Sequence, residues 1–303
     1  MSKLAPIFVI IAAALWGVDG IVLRPILYTL PVTLVVFIET TIVAVILTPF
    51  FIKNFALIKI LKPKDWLAFI GVALFGGAIG TMAITKALFY VNYVNLSIVV
   101  LIQKLQPVFA VTFAAILLKE HLNKTFYLWA GTAVIGAYLM TFGLHMPVLN
   151  ASDKTNLAVF FAVIATISFA LSTVFSKRAI KNVDFKLATY LRFLITSGIM
   201  LIIVLSSGLI WNVNTVSVKQ SVVFLIIAFS TGGPAIFMYF YGLKRISASV
   251  ATICELSFPL TAIILEYILR GNILGPVQWI GAIILLNSII RVTYLKTEKN
   301  RNK

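Results

Sequence analysis

The chain is short of most residues that carry enzyme chemistry. It has one cysteine and two histidines in 303 residues, and 9 acidic residues against 25 lysines and arginines. The lone Cys254 excludes an intrachain disulfide; lying in an apolar run, it reads as a small buried hydrophobe and implies no oxidising compartment. His121 and His145 stand at the ends of apolar runs, so there is no His-Glu-x-x-His zinc site, and no metal is expected. A Gly-x-Ser-Gly protease context and paired Asp-rich motifs for Mg²⁺ are also missing, which disfavours an intramembrane enzyme. The absence of a phosphate-binding loop removes direct drive by ATP, and no cofactor is expected. Charge is scarce as well. Only 11% of residues are charged against 61% hydrophobic, too little polar surface to coat a soluble domain.

What the chain does have is apolar runs of membrane length. About 20 apolar residues cross the hydrocarbon core as a helix, and breaks at charged, Pro, Gly and Asn residues leave ten such runs. They cover 5–23, 32–52, 66–86, 96–118, 126–144, 157–176, 187–206, 220–240, 247–268 and 276–294. The first resembles a signal peptide, but the apolar helix continues past Trp16 and Asp19 towards Arg24-Pro25, so a retained span is expected. With the N-terminus in the cytoplasm, 18 of the 25 basic residues fall on that side. Four (Arg24, Lys154, Lys219 and Arg270) fall on the other, and Lys86, Lys104 and Arg192 lie within spans. That asymmetry is the positive-inside pattern, so both termini are expected to be cytoplasmic in a multi-pass protein of the cell membrane. Because the bases sit in short loops, the net charge of +16 argues for the bilayer as partner and against nucleic acid.

The two halves repeat. Trp16, Arg24 and Glu39 align with Phe169, Lys177 and Arg192 at an offset of 153; Pro107 aligns with Pro259 at 152; Trp129-Ala130-Gly131 aligns with Trp279-Ile280-Gly281 at 150. Residues 1–148 form one five-helix repeat, and 149–303, with a basic C-terminal tail, form the second. Five spans per half is an odd number, so the second half enters the membrane inverted. The predicted fold is an all-α membrane protein of ten transmembrane helices in two inverted five-helix repeats. Paired bundles of opposite orientation can open a shared site to one side and then the other, which is the logic of a secondary transporter.

The segments ALWG at 14–17, TKAL at 85–88, QPVFAVTFAAILLKEHL at 106–122 and GTAVIGAYLM at 131–140 strengthen that expectation. So do FALSTVFSKRAI at 169–180, YGLKRISASVAT at 241–252 and FPLTAIILEYILRGNIL at 258–274. In this order, over nearly the whole chain, they resemble the EamA-type transporters of the drug/metabolite transporter superfamily. The resemblance implies a carrier of small metabolites, commonly an exporter of amino acids or related compounds. Two departures stand out. The helix-end glutamate of the family, present as Glu120, is replaced in the second repeat by Gly271-Asn272, and Glu39 stands where members often carry arginine.

Ionisable residues inside spans mark candidate sites because each is costly in a bilayer unless it faces protein or water. Lys104, beside Gln103 and Gln106, is a candidate cation for a substrate carboxylate, or a structural partner of Glu39 or Glu255. Glu39, Glu255 and Asp19 are candidates for proton coupling or ion pairing, and Glu39 could equally pair with Lys86. Lys104, Gln103, Glu39 and Glu255 are expected to line the substrate site, with Trp16 and Tyr239 as apolar contacts. Pro107 and Pro259 are matched hinge candidates because each removes a backbone donor, and Arg192 is a candidate gate. Gly232-Gly233-Pro234 predicts a kink in the eighth span. Lys86 reads as a snorkelling residue, Lys119-Glu120-His121 as a loop cap, and Glu266 with Arg270 as an i,i+4 pair. The expected activity is secondary transport of a small polar or zwitterionic metabolite, an amino acid or related compound, in the export direction. Protons are a candidate coupling ion, and the protein is a monomer or homodimer. The alternatives are a channel, a drug or cation exporter, and last an intramembrane enzyme.

Overall fold

The computed structural model describes residues 4–51, 58, 61–91, 99, 102–145, 153–271 and 275–299. Among these, nine helices are long and apolar enough to cross a membrane: α1 (Ala5–Leu27), α2 (Val32–Phe51), α3 (Pro63–Ala87), α5 (Lys124–Phe142), α6 (Asn156–Ala179), α7 (Phe185–Ser206), α8 (Val218–Leu243), α9 (Ala248–Leu269) and α10 (Pro276–Tyr294). A shorter apolar helix, α4 (Ile102–Leu117), occupies the later part of the expected fourth span; most of the stretch 96–101 lies outside the described residues.

Contacts between helix ends show the helices running alternately up and down. At one face, where α1 begins, the Ala5 carbonyl lies against Gly242 near the end of α8. On the same face Lys177 at the end of α6 donates to the carbonyls of Leu243 (2.7 Å) and Lys244 (3.2 Å), and Lys244 donates to Val183 O. Glu120 after α4 accepts from the backbone of Ala248 (2.8 Å) and Ser249 (3.2 Å) and from the Ser249 hydroxyl, so it caps α9, as its loop position suggested. We call this the near face. At the far face Gln220 at the start of α8 donates to Ile26 O and Thr29 at the end of α1. The first helix therefore starts where the sixth ends, and the second five helices are inverted relative to the first.

Polar side chains within the helices satisfy themselves locally. Hydroxyls of Thr40, Thr48, Thr85, Thr141, Thr166 and Thr189 each donate to the carbonyl four residues back, which lets threonine sit in a bilayer without an unpaired donor. Asn123, Asp184, Ser217 and Ser247 cap the starts of α5, α7, α8 and α9. Lipid tails are as apolar as leucine, so small residues that permit close approach hold such helices together. Gly76 and Gly77 of α3 face Ser172 of α6 and Thr196 of α7 so closely that a Cβ at either would clash. Gly136 of α5 and Gly281 of α10 face each other's backbones, and Thr132 and Ser288 share a 2.9 Å bond across the same seam. The fifth and tenth helices thus form a tight intramolecular pair.

Candidate functional site

The site begins with two matched breaks. In α9 the first half ends at Cys254, Glu255–Leu256 form a turn, and a second half starts at Ser257. Pro259 has no N–H to offer the Glu255 carbonyl, which accepts instead from Phe258 N at 3.0 Å. α4 breaks likewise at Leu105, whose N–H bonds Ile102 O at 3.0 Å, with Pro107 two residues on. At 1.5 Å per residue Glu255 lies about 10 Å and Trp16 about 16 Å from the near face, within a core of about 30 Å. Irregular backbone at that depth persists only where it is buried in protein or lines a polar site.

Glu255 collects side chains from both repeats. Its Oε1 accepts from Tyr239 of α8 at 2.7 Å and from Thr173 of α6 at 3.3 Å, and its Oε2 accepts from Gln106 of α4 at 3.0 Å. The Tyr239 ring packs on Trp16 of α1 with centroids 5.3 Å apart and planes tilted by 53°. Tyr239 and Thr173 are buried, whereas Glu255, Gln103, Gln106 and Trp16 are half-buried. Arg192 of α7 lies over the Phe240 ring at 5.7 Å and forms no ion pair with Glu255. Pro107 and Pro259 are both buried at the breaks. Five helices thus present an aromatic pair, the Gln106 amide, the Thr173 hydroxyl and one carboxylate to a common centre.

Lys104 makes no ion pair with Glu255. It is 8% exposed and forms no ion pair with a described residue. The expected pairing with Glu39 or Glu255 is corrected: Glu39 is paired with Arg24, and Glu255 accepts from Tyr239, Thr173 and Gln106.

Glu39 pairs with Arg24. The backbone of α1 widens into a π-turn over Asp19–Leu23, with Arg24 N–H on the Asp19 carbonyl, so side chains five apart come together. Arg24 Nε and Nη2 donate to Asp19 Oδ2 at 2.8 and 2.6 Å, and Nη2 also reaches Glu39 Oε2 of α2 at 3.3 Å. The expected partners of Glu39, Lys104 and Lys86, are replaced by a residue that reads in sequence as a loop cation. Lys86 is exposed, with Nζ 5.4 Å from the Phe161 ring centre. The side chains of Glu266 and Arg270 lie outside the described residues.

Further π-turns occur at matched places in the repeats, Val72–Ile79 in α3 and Ala228–Gly232 in α8. The second precedes Gly233-Pro234, where the sequence predicts a kink, and leads into the turns bearing Tyr239. Thr173, Gln106 and Arg24 are the members of these clusters that sequence reasoning did not assign. For Gln106 the available signal was its place beside a proline in an apolar span.

The profile of the EamA-like transporter family matches this chain twice, over residues 3–142 and 156–294. The riboflavin transporter ImpX of Fusobacterium nucleatum is 42% identical over 293 residues, covering 95% of this chain and 97% of that protein. An uncharacterized transporter of Synechocystis sp. is 26% identical over 256 residues, covering 80% of this chain and 70% of its own length. A crystal structure at 15% identity superposes with a TM-score of 0.72 over 97% of this chain and 96% of its own, which speaks for the fold alone. With the alternating helices and the doubled profile together, the chain belongs to the EamA-like transporter family and is a multi-pass membrane transporter of a small molecule.

Proposed function

We propose that the chain carries riboflavin or a closely related flavin by alternating access. The two halves, 1–148 and 149–303, rock about the breaks at Pro107 and Pro259, with both termini in the cytoplasm. The observation that carries this reading is the composition of the cluster around Glu255, in a chain 42% identical to a protein named as a riboflavin transporter. A flavin is a flat, uncharged tricyclic ring bearing a polyhydroxyl chain. Trp16 and Tyr239 supply aromatic faces for the ring, worth about 0.5–1.5 kcal/mol beyond the area they bury. Gln103, Gln106, Thr173 and Glu255 supply donors and acceptors for the hydroxyls and ring edge. Few, well-placed polar groups on an apolar wall are what a small-molecule site requires. This replaces the amino acid as preferred substrate, because the relative that is 42% identical to this chain is named a riboflavin transporter. In this scheme Arg192 gates the site from α7, and one chain is the transporting unit.

Flavin fluorescence, quenched on stacking, tests the assignment in purified protein. Trp16→Ala is expected to weaken riboflavin binding about tenfold, corresponding to about 1.4 kcal/mol. The exposed Trp211, 77% accessible, supplies the control: Trp211→Ala should bind as wild type. Equal affinity in the Trp16 variant and wild type would contradict the assignment.

A further inference from the structure

We propose that Asp19 and Glu39 together hold one exchangeable proton, and that this far-side site is where a coupling ion enters the transport cycle. The inference rests on the chain being a transporter and is independent of the flavin reading. Two carboxylates share a single guanidinium, since Arg24 Nη2 touches both. Arginine stays charged in proteins and cancels one negative charge, so the trio carries one in excess. Its burial is plain: Asp19 is 7% exposed, and the Asp19 and Glu39 side chains are 10% and 13% exposed. Only one oxygen of each carboxylate is engaged. Asp19 Oδ1 and Glu39 Oε1 are buried with no hydrogen-bond partner. An uncompensated charge at the centre of a membrane helix costs about 2.5–3.5 kcal/mol even on lenient insertion scales. One proton removes the excess: an O–H bond forms on one carboxylate at the expense of a hydronium ion from the far side, and no other bond changes.

The surroundings leave few other groups to supply the missing charge. Tyr28, on the turn after α1, is exposed. The start of α8 contributes exposed Lys219 and buried Gln220, the latter bonded to Ile26 O and Thr29. α9 turns Phe258 and Thr261 towards α1 at Gly17 and Gly20, and its Tyr267 is exposed; the side chains of Glu266 and Arg270 are not described. Against α2, α7 brings Ser197, bonded to Thr41, while Arg192 lies over Phe240; the π-turn of α8 brings Ser230 and Thr231.

The location links the proton to the substrate site. Trp16 is one turn before Asp19 on α1 and packs on Tyr239, which donates to Glu255. Gly17, between them, packs so closely on α9, the helix that bears Glu255, that a Cβ there would lie 3.0 Å from the Phe258 carbonyl oxygen and from Thr261. A change of charge at Asp19 therefore acts on a helix segment clamped to both the aromatic pair and the broken helix.

Infrared difference spectroscopy of reconstituted protein tests the site without any substrate. Stepping the pH of wild type should reveal a protonated-carboxyl band that is lost in Glu39→Gln or in Asp19→Asn and retained in Glu255→Gln. In liposomes, a pH gradient should accelerate riboflavin uptake by wild type, and Glu39→Gln should lose that acceleration while retaining substrate exchange. A band unchanged in both Asp19→Asn and Glu39→Gln, or no titrating carboxyl band in wild type, overturns the proposal whatever the substrate. Loss of the band on replacing choline by Na⁺ at constant pH assigns the site to Na⁺ and overturns the proton. Absent riboflavin uptake with the band behaving as described would count against the flavin reading alone.

Discussion

Glu255→Ala is expected to abolish transport while leaving protein that elutes as a single species in detergent. The carboxylate is the common acceptor for Tyr239, Thr173 and Gln106, drawn from three helices and both repeats. Its removal leaves buried or half-buried donors facing an apolar methyl, at about 1–3 kcal/mol for each donor left without a partner. Two such losses suffice for a hundredfold fall in flavin affinity, which corresponds to about 2.8 kcal/mol. Tyr239 also loses the bond that fixes its ring against Trp16. Glu255→Gln separates charge from geometry. A glutamine oxygen can accept from Tyr239 and Thr173 while the Gln106 amide turns to offer its oxygen to the new NH₂. The glutamine variant should therefore keep its fold and bind flavin far better than the alanine variant. Full transport by Glu255→Ala would show that the cluster is structural.

Gly281→Leu should have the largest effect on stability. A side chain at Gly281 collides with the backbone of Leu139 and Met140 on α5, and in the reverse direction Gly136 would bring a Cβ to 2.7 Å from Leu285 N. Backbone cannot step aside by changing rotamer, so α5 and α10 must separate and the Thr132–Ser288 bond across the seam is lost. Overpacking of this kind costs on the order of 3 kcal/mol, which lowers the thermal midpoint by roughly 5–10 °C in a large domain. The repeat-equivalent Gly131 is the control, because nothing lies within 4 Å of a Cβ there. Gly131→Leu should melt as wild type. Equal midpoints for the two variants would contradict the seam.

Much of this architecture is written in local pattern. Apolar length marks the helices, and the odd number per half forces inversion. Paired prolines mark the breaks in α4 and α9, and Gly232-Gly233-Pro234 the disturbance in α8. What sequence does not reveal is which way a side chain turns. Lys104 draws attention as a buried cation, yet it is Gln106, just past the break at Leu105, that reaches Glu255. Thr173 is one of many threonines in apolar helices, most of which bond their own backbone, and only the packing of α6 against α8 and α9 distinguishes it. Arg24 precedes a proline near a helix end and so resembles a loop residue. The π-turn after Val18, a backbone choice without a sequence mark, folds it back onto Asp19 and Glu39.

Riboflavin counterflow in proteoliposomes tests the central claim most directly. Purified protein is reconstituted into vesicles preloaded with unlabelled riboflavin, and labelled riboflavin is added outside without any ion gradient. Alternating access around the Glu255 site predicts a transient, saturable accumulation of label that Glu255→Ala abolishes. Label that only equilibrates, without overshoot or saturation, or an overshoot that survives in Glu255→Ala, would contradict the account.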